Sequence, residues 1–194
     1  STSQLKQLEE AARIIQTNLD SDEKRIHILD TCESNDNGSY HYDTERFQLR
    51  RTITIPSAIT DAYENLECKS FVGLLPEINR AYITIDNKLF LWNYHDGNDY
   101  YLYDELNQII VSVALCIPKP GVFVKSIKFV LVIATPVEIL LFGVKFEGDN
   151  VYGALTLYPT QFCIPSDNIH MIRMIGTENG RIFMCGKDGG VYEL

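Results

Sequence analysis

The sequence of 194 residues lacks the short motifs that commonly mark zinc sites, nucleophiles and phosphate-binding loops. The four histidines, His27, His41, His95 and His170, show none of the HxH, HxxxH or HExxH spacings. No G-x-S-x-G motif occurs, and residues 186–190 (GKDGG) lie between two predicted strands, where no helix N-terminus could hold a phosphate. We therefore expect no catalytic residue, no metal ligand, no cofactor and no small-molecule substrate.

A basic stripe and a dense set of cysteines are also missing. The formal net charge is −9, and no stretch gathers lysine and arginine, so we expect no direct binding to nucleic-acid phosphates. The five cysteines are odd in number, far apart and without a CxxC pair, whereas a disulfide framework would be denser. This pattern indicates reduced thiols in a cytosolic or nuclear compartment.

The longest apolar run, residues 129–144 (FVLVIATPVEILLFGV), is almost long enough to cross a membrane. Pro136 and Glu138 lie in its middle, and β-branched residues are frequent in it. Proline interrupts a helix, and β-branched residues favour strands. The run therefore predicts two buried strands joined at Thr135-Pro136.

The N-terminal quarter differs in character from the rest of the chain. Within residues 4–19, apolar side chains recur at steps of three and four, which predicts an amphipathic helix with Leu5, Leu8, Ala12, Ile15 and Leu19 on one face. Residues 20–45 are polar, with SNDNGS at 34–39, and predict a loop or linker. We therefore assign residues 1–45 to a helical arm with a linker, and residues 46–194 to a second domain.

The second domain has the pattern of an all-β protein. Residues 51–55 (RTITI) alternate as a strand does, and residues 57–66 (SAITDAYENL) place their apolar side chains on one face of a short helix. From residue 81 onward, apolar runs of five to eight residues are separated by turn residues. Many short, evenly spaced strands are typical of a sandwich, a barrel or a propeller.

A repeated hairpin favours the propeller among these three folds. The pattern of residues 82–92 recurs 50 positions later at 131–142, and again 52 positions further at 183–194. Each copy is an apolar strand, a tight turn and a second apolar strand, with Leu89, Ile139 and Val191 in register, as are Phe90, Leu140 and Tyr192. A period near fifty residues is typical of propeller blades. Because propellers close with four to eight blades, we expect about three blades of a longer propeller here.

Two features are candidates for contacts with other molecules. Residues 69–78 (KSFVGLLPEI) either pack on the core between blades or form an exposed apolar loop for a membrane or a partner, through Phe71, Val72, Leu74 and Leu75. Trp92 ends a predicted strand, and serves either as an anchor between blades or as a docking anchor for a peptide.

One pair of acids invites an enzymatic interpretation. Asp104 and Glu105 follow YYLY, and glycosidases built on propellers use two carboxylates. Adjacent residues on a strand point to opposite faces, so these two carboxylates would not converge on a substrate. An exposed loop is the favoured interpretation.

Six segments together resemble one protein family in order and spacing: residues 7–22 (QLEEAARIIQTNLDSD), 75–99 (LPEINRAYITIDNKLFLWNYHDGND), 117–123 (IPKPGVF), 130–144 (VLVIATPVEILLFGV), 165–174 (PSDNIHMIRM) and 179–194 (NGRIFMCGKDGGVYEL). The family is the large scaffold nucleoporins of the inner ring of the nuclear pore complex. Its members carry an N-terminal β-propeller followed by a long α-solenoid. The resemblance covers most of the chain, and residues 23–48 are its least similar part.

The resemblance implies a structural role without catalysis. It implies binding to other scaffold and linker nucleoporins, a position near the pore membrane in the nuclear envelope, and indirect support of protein and RNA transport. Two alternatives stay open at this point. The chain could be a propeller adaptor of another assembly, such as a vesicle coat, or a propeller enzyme with its site at the central channel.

Overall fold

The structure is a computed structural model that describes residues 2–21 and 51–194. The chain divides into two compact units, residues 1–50 and 51–194, which we describe separately. Within the described residues, no helix combines the length and the apolar character needed to cross a bilayer. The predicted linker lies largely outside the described residues, so the domain boundary at residue 45 stays a prediction.

The first unit contains helix α1, Thr2–Ser21, which confirms the predicted helix and extends it at both ends. Arg13 forms an ion pair with Glu10, one turn earlier on the helix, at 3.0 Å. Of the predicted apolar stripe, Leu5, Leu8 and Ile15 are exposed. The helix in this unit thus has an apolar stripe, as an amphipathic helix does.

The second unit begins with an extended segment and helix α2, Ser57–Glu64. The short helix was predicted correctly, but the strand predicted at residues 51–55 is wrong, because this segment pairs with no strand that the structure describes. The guanidinium of Arg51 instead donates to the carbonyl of Tyr94 at 2.8 Å, and Ile53 packs against Gly97. An alternating pattern makes a strand only where a neighbouring strand offers hydrogen-bond partners.

Three antiparallel sheets follow, each with its strands in chain order. Sheet A contains β1 (Ser70–Leu75), β2 (Arg80–Ile85), β3 (Lys88–Trp92) and β4 (Tyr100–Tyr103). Sheet B contains β5 (Ser112–Cys116), β6 (Phe129–Ala134), β7 (Glu138–Phe146) and β8 (Leu155–Pro165). Sheet C contains β9 (Met171–Gly176), β10 (Ile182–Gly186) and β11 (Val191–Glu193). Short 3₁₀ turns follow β1 at Pro76–Ile78 and β7 at Glu147–Asp149.

The three repeated hairpins are the second and third strands of the three sheets. Leu89 pairs with Thr84, Ile139 with Ala134, and Val191 with Cys185, so each lies one residue beyond the pair that closes its turn. This confirms the register predicted for the three repeats. The third turn is longer, since Gly186 and Gly190 close it and Gly189 adopts a φ of 84° within it. Glycine takes such a positive φ without steric cost.

Sheet B is covered on both faces. One face packs against sheet A in a core that includes Leu89, Leu91, Leu131 and Ile133. The other face packs against sheet C through residues such as Val132 and Met184, in a second core cluster. Side chains on both faces of β6 are therefore buried, which explains why residues 129–144 read as a continuous apolar run.

The innermost strands of the three sheets, β1, β5 and β9, line one cavity of about 700 Å³. The hydroxyl of Ser112 on β5 donates to the carbonyl of Met171 at the start of β9, at 2.5 Å. A Cβ atom at Gly176 would lie 2.9 Å from Sγ of Cys116, so only glycine allows β5 and β9 to approach this closely. The sheets therefore fan around a common axis as propeller blades do, rather than forming a two-layer sandwich.

We expect Leu131→Ala to destabilise the domain strongly, because Leu131 is 0 % exposed in the core between sheets A and B. The cavity left behind should lower the free energy of unfolding by about 2–5 kcal/mol, measured by urea denaturation. The matched control is Leu74→Ala, since Leu74 is 69 % exposed and should change stability by less than about 0.5 kcal/mol. Equal losses in the two variants would contradict the assignment of this core.

Candidate functional site

The first candidate segment from the sequence, Phe71 to Leu75, forms most of strand β1 rather than a loop. Successive side chains on a strand point to opposite faces, and the structure separates the candidates accordingly. Phe71 and Leu75 belong to the core between sheets A and B, whereas Val72 and Leu74 are exposed. Val72 and Leu74 are therefore the more exposed pair, with Leu74 lining the axial cavity, and a contact of either residue with another molecule stays a prediction.

The face of β1 that carries Phe71 is closed by Tyr82. A Cβ atom at Gly73 would lie 2.4 Å from the Tyr82 ring, so the ring covers the glycine directly. The rings of Phe71 and Tyr82 meet edge to face with centroids 6.3 Å apart. Burial raises the pKa of the Tyr82 hydroxyl, against a smaller lowering by Arg173. This half of the segment is thus a packing element beside the axial cavity.

The second candidate, Trp92, makes an internal contact within the second unit. Its indole Nε1 donates to the carbonyl of Gly97 at 3.0 Å. The side chain packs against a cluster formed by Ile59 of α2 with Ile83 and Phe90 of sheet A. This cluster lies on the face of sheet A that points away from sheet B. Trp92 therefore joins sheet A to α2, and its role as an anchor for a partner or another blade stays a prediction.

A buried arginine at the start of β2 went unnoticed in the sequence. Arg80 is 1 % exposed, and its guanidinium donates to Asp99 at 3.1 Å and to the carbonyl of Gly153 at 3.0 Å. Asn93 donates to the same carboxylate oxygen of Asp99 at 3.0 Å. Burial lowers the pKa of Arg80, and the Asp99 charge opposes this effect. The network ties sheet A to the β7–β8 connection, so its role is structural.

The carboxylate of Asp86, in the β2–β3 turn, fixes the backbone just before strand β1 of sheet A. It accepts hydrogen bonds from the backbone N–H groups of Glu67, Cys68 and Lys69 at 2.8–2.9 Å. These bonds, chiefly that from Glu67, hold the pKa of Asp86 below its usual value, despite an opposing effect of burial. Asp86 also adopts a φ of 52°, and its carbonyl accepts from Ile110 at 2.8 Å. The turn thereby connects sheets A and B.

The remaining titratable side chains include those of cysteine, histidine and the acids, which are the usual ligands of protein-bound metals. Among residues 51–194 and the described helix α1, no three His, Cys, Asp or Glu side chains cluster as metal ligands would. Cys68, Cys116, Cys163 and Cys185 are free, and burial raises the pKa of Cys116 to about 11. His27, His41 and Cys32 lie outside the described residues. The predicted loop at Asp104 and Glu105 is confirmed, since both are exposed beyond the end of β4.

The second unit is thus an all-β, propeller-like domain that exposes strand edges and connections, the type of scaffold that binds other macromolecules. Residues 43–194 match the family Nucleoporin_N, described as Nup133 N terminal like. The chain belongs to this nucleoporin family, because the match covers more than half of it.

Three similar proteins agree with this assignment. The nuclear pore complex protein Nup154 of Drosophila melanogaster is 41 % identical over 78 % of this chain, and nucleoporin NUP170 of Chaetomium thermophilum is 33 % identical over 95 %. The crystal structure of the Chaetomium thermophilum Nup170 NTD–Nup53 complex matches 71 % of this chain with a TM-score of 0.64 and 39 % identity. The chain spans only 11 % and 14 % of those two relatives and 20 % of the crystallised Nup170 chain.

We expect Asp86→Asn to destabilise the domain in a pH-dependent way. The lowered pKa means that the Asp86 carboxylate contributes stability above the unfolded-state pKa of about 4, and that this contribution is lost as pH falls through the lower folded-state pKa. The difference in unfolding free energy between the native protein and the variant should therefore be largest near neutral pH and shrink below about pH 4. Urea denaturation at several pH values measures it, with Asp104→Asn as the exposed control. A difference independent of pH would contradict this role of the carboxylate.

Proposed function

We propose that this chain is part of the β-propeller of a scaffold nucleoporin, where it supports the structure of the nuclear pore complex inner ring. The observation that carries the proposal is that residues 43–194, which include all three sheets, are the part that matches the nucleoporin family. Rigid sheets around one axis present several edges and connections at once, which suits a subunit with several neighbours. Transport of protein and RNA would depend on this role indirectly.

For the domain organisation, we propose a helical arm and linker at residues 1–45 and the first blades of a longer propeller at 46–194. The face of sheet C that points away from sheet B carries apolar side chains, which is an argument for further sheets in the whole protein. On it Ile175 and Val191 are exposed, and Phe183 is only half-buried. Apolar side chains in such a row are usually covered in a native protein. The greater length of the relatives agrees with this proposal.

For partners, we propose linker and scaffold nucleoporins and no catalysed reaction. The solved relative, the N-terminal domain of Nup170, was crystallised in complex with Nup53. A linker nucleoporin similar to Nup53 is therefore the first partner to test. A propeller adaptor in a vesicle coat is not favoured, since the matching relatives are nucleoporins. A propeller enzyme with a catalytic metal is not favoured, since no three His, Cys, Asp or Glu side chains cluster as metal ligands among the described residues.

The proposed role predicts that the full-length protein concentrates at the nuclear rim and depends on the fold of sheets A to C to do so. Leu131→Asp places a carboxylate in the core between sheets A and B, and should reduce rim localisation of a fluorescently tagged protein severalfold. The control variant Tyr63→Asp alters an exposed tyrosine of α2 and should keep its localisation. Absence of the native protein from the nuclear rim would contradict the proposed scaffold role.

We also propose peripheral contact between Val72, Leu74 and the pore membrane, because both are exposed apolar side chains on one face of β1. Leu74→Asp should lower the fraction of full-length protein that floats with phospholipid vesicles, since a carboxylate resists burial among lipid chains. Tyr63→Asp, at an exposed side chain of α2, is the control and should float as the native protein does. If the same fraction of Leu74→Asp and of the native protein floats with the vesicles, strand β1 does not contact the membrane.

A further inference from the structure

The axial cavity, lined by β1, β5 and β9, combines a mostly apolar wall with a few polar groups. Its volume of about 700 Å³ falls within the range of roughly 300–1,000 Å³ that is typical of small-molecule pockets. Eleven of its sixteen lining residues have apolar side chains, and the other five are Lys69, Glu77, Tyr82, Ser112 and Arg173. Such a composition is typical of a site in which apolar contact holds a ligand and polar groups orient it.

Tyr82 and Arg173 face each other across the axial cavity. Tyr82 belongs to β2 of sheet A, and Arg173 belongs to β9 of sheet C. Burial raises the pKa of the Tyr82 hydroxyl, and the charge of Arg173 lowers that pKa by a smaller amount, so the guanidinium acts on the hydroxyl from the opposite wall. Within the described residues, the Tyr82 hydroxyl forms no hydrogen bond. It is therefore a half-buried donor that is available to a ligand in the cavity.

Lys69 supplies a second positive charge at the same cavity. It directly precedes β1, and its ammonium nitrogen lies 5.5 Å from the centre of the Phe71 ring, which in turn meets the ring of Tyr82. Within residues 2–21 and 51–194, neither Lys69 nor Arg173 forms an ion pair. The one acid of the lining, Glu77, follows β1 at its other end, on the order of 20 Å from Lys69 along the strand. The cavity thus holds two positive charges without an acidic partner, in a chain whose net charge is −9.

The backbone of the innermost strands adds further donors. In the described part of the chain, β1, β5 and β9 each pair with a single strand, on the side away from the axis. An edge strand carries N–H groups without a strand partner, and the edge of a sheet can form an anion-binding concavity. The guanidinium, the ammonium, the hydroxyl and these N–H groups are all donors. The polar part of the cavity therefore favours an anion that is rich in acceptor oxygens.

The number of charges favours a phosphate monoester among such anions. A phosphate monoester carries about −1.5 to −2 charges at pH 7 and three acceptor oxygens, whereas a carboxylate carries a single charge. An arginine guanidinium binds phosphate oxygens in pairs, and a lysine ammonium acts as a point charge beside them. Two unpaired cations and a hydroxyl donor therefore match a phosphate group better than a carboxylate. The apolar wall is left for the organic part of the ligand.

We propose that the axial cavity binds a small phosphate monoester, with its phosphate between Lys69 and Arg173 and its organic group against the apolar wall. The phosphate accepts a hydrogen bond from the hydroxyl of Tyr82. The inference goes beyond the scaffold function and does not rest on it, because it uses only side chains that line the cavity. It assigns a class of ligand to a domain in which no sequence motif indicates one.

The test titrates the full-length protein with fluorinated phenyl phosphate and follows the fluorine signal by NMR. A dissociation constant on the order of 0.1–1 mM is expected, since the probe is a small molecule with one charged group. Fluorinated benzyl alcohol keeps the ring without the charge and should bind at least about tenfold more weakly. Equal binding of the two probes overturns the inference, and so does a fluorine signal of the phosphate that the protein leaves unchanged.

Three variants locate the phosphate group. Arg173→Gln and Lys69→Gln each remove one positive charge and should weaken binding of fluorinated phenyl phosphate about tenfold. Tyr82→Phe keeps the ring that covers Gly73 and removes only the hydroxyl, so it should weaken binding about fivefold. Binding by Arg173→Gln that equals binding by the native protein overturns the inference.

The matched control is Lys187→Gln, which removes the same charge outside the cavity. Lys187 is an exposed lysine in the β10–β11 turn and should leave binding of fluorinated phenyl phosphate unchanged. Because Lys69 and Arg173 are exposed as well, all three glutamine variants should unfold at the same urea concentration as the native protein. An equal loss of binding in Lys187→Gln would show a general effect of net charge and would also overturn the inference.

A phosphate monoester can come from solution or from a lipid headgroup, and a second arm separates the two sources. Phosphatidylcholine vesicles are prepared with and without phosphatidic acid and floated with the full-length protein. If phosphatidic acid increases flotation of the native protein but not of Arg173→Gln, and fluorinated phenyl phosphate competes, the cavity takes the lipid headgroup. If only the soluble probe binds, the cavity takes soluble monoesters. Flotation that Arg173→Gln retains, without binding of the soluble probe, assigns the contact to another surface and overturns the inference.

Discussion

The structure depends on the burial of both faces of sheet B. A sheet with two apolar faces cannot shield both of them from water by itself. Strands β6 and β7 therefore require a neighbouring sheet on each side. Sheets A and C meet this requirement, and their own outer faces then need other cover. On sheet A the helix α2 provides some of it through Ile59, whereas Val191 on sheet C is exposed. The arrangement of the sheets around a common axis follows from this need to bury their apolar faces.

The same demand decides where contacts with other molecules can form. Because both faces of sheet B and the facing sides of sheets A and C pack against one another, contacts with partners fall to the outer faces, the strand edges and the connections. The innermost strands approach closely through Gly176 and Cys116 and enclose the axial cavity. The β5–β6 connection runs past the junction of sheets B and C, where the rings of Phe123 and Phe162 meet edge to face. Polar groups such as Arg80 and Asp86 fix the connections in place through their hydrogen bonds.

Local features of the sequence were predicted well, and partner-dependent features were not. The helices, the paired hairpins and their register follow from apolar spacing and turn residues within a few positions of one another. Residues 51–55 alternate as a strand does yet have no strand partner within the described part of the chain, which no local pattern reveals. The buried position of Arg80 likewise depends on Gly153, which lies 73 positions later in the chain.

The sequence alone determined the fold class, the repeat near fifty residues and the family, because periodic apolar spacing and shared segments are properties of neighbouring residues. Tertiary structure decided the placement of the candidate contacts. It divided Phe71 and Leu75 from Val72 and Leu74, since a strand sends alternate side chains to opposite faces and only one face meets sheet B. It also formed the axial cavity from strands β1, β5 and β9, which are distant in the chain, because a surface assembled from several elements exists only once those elements have packed.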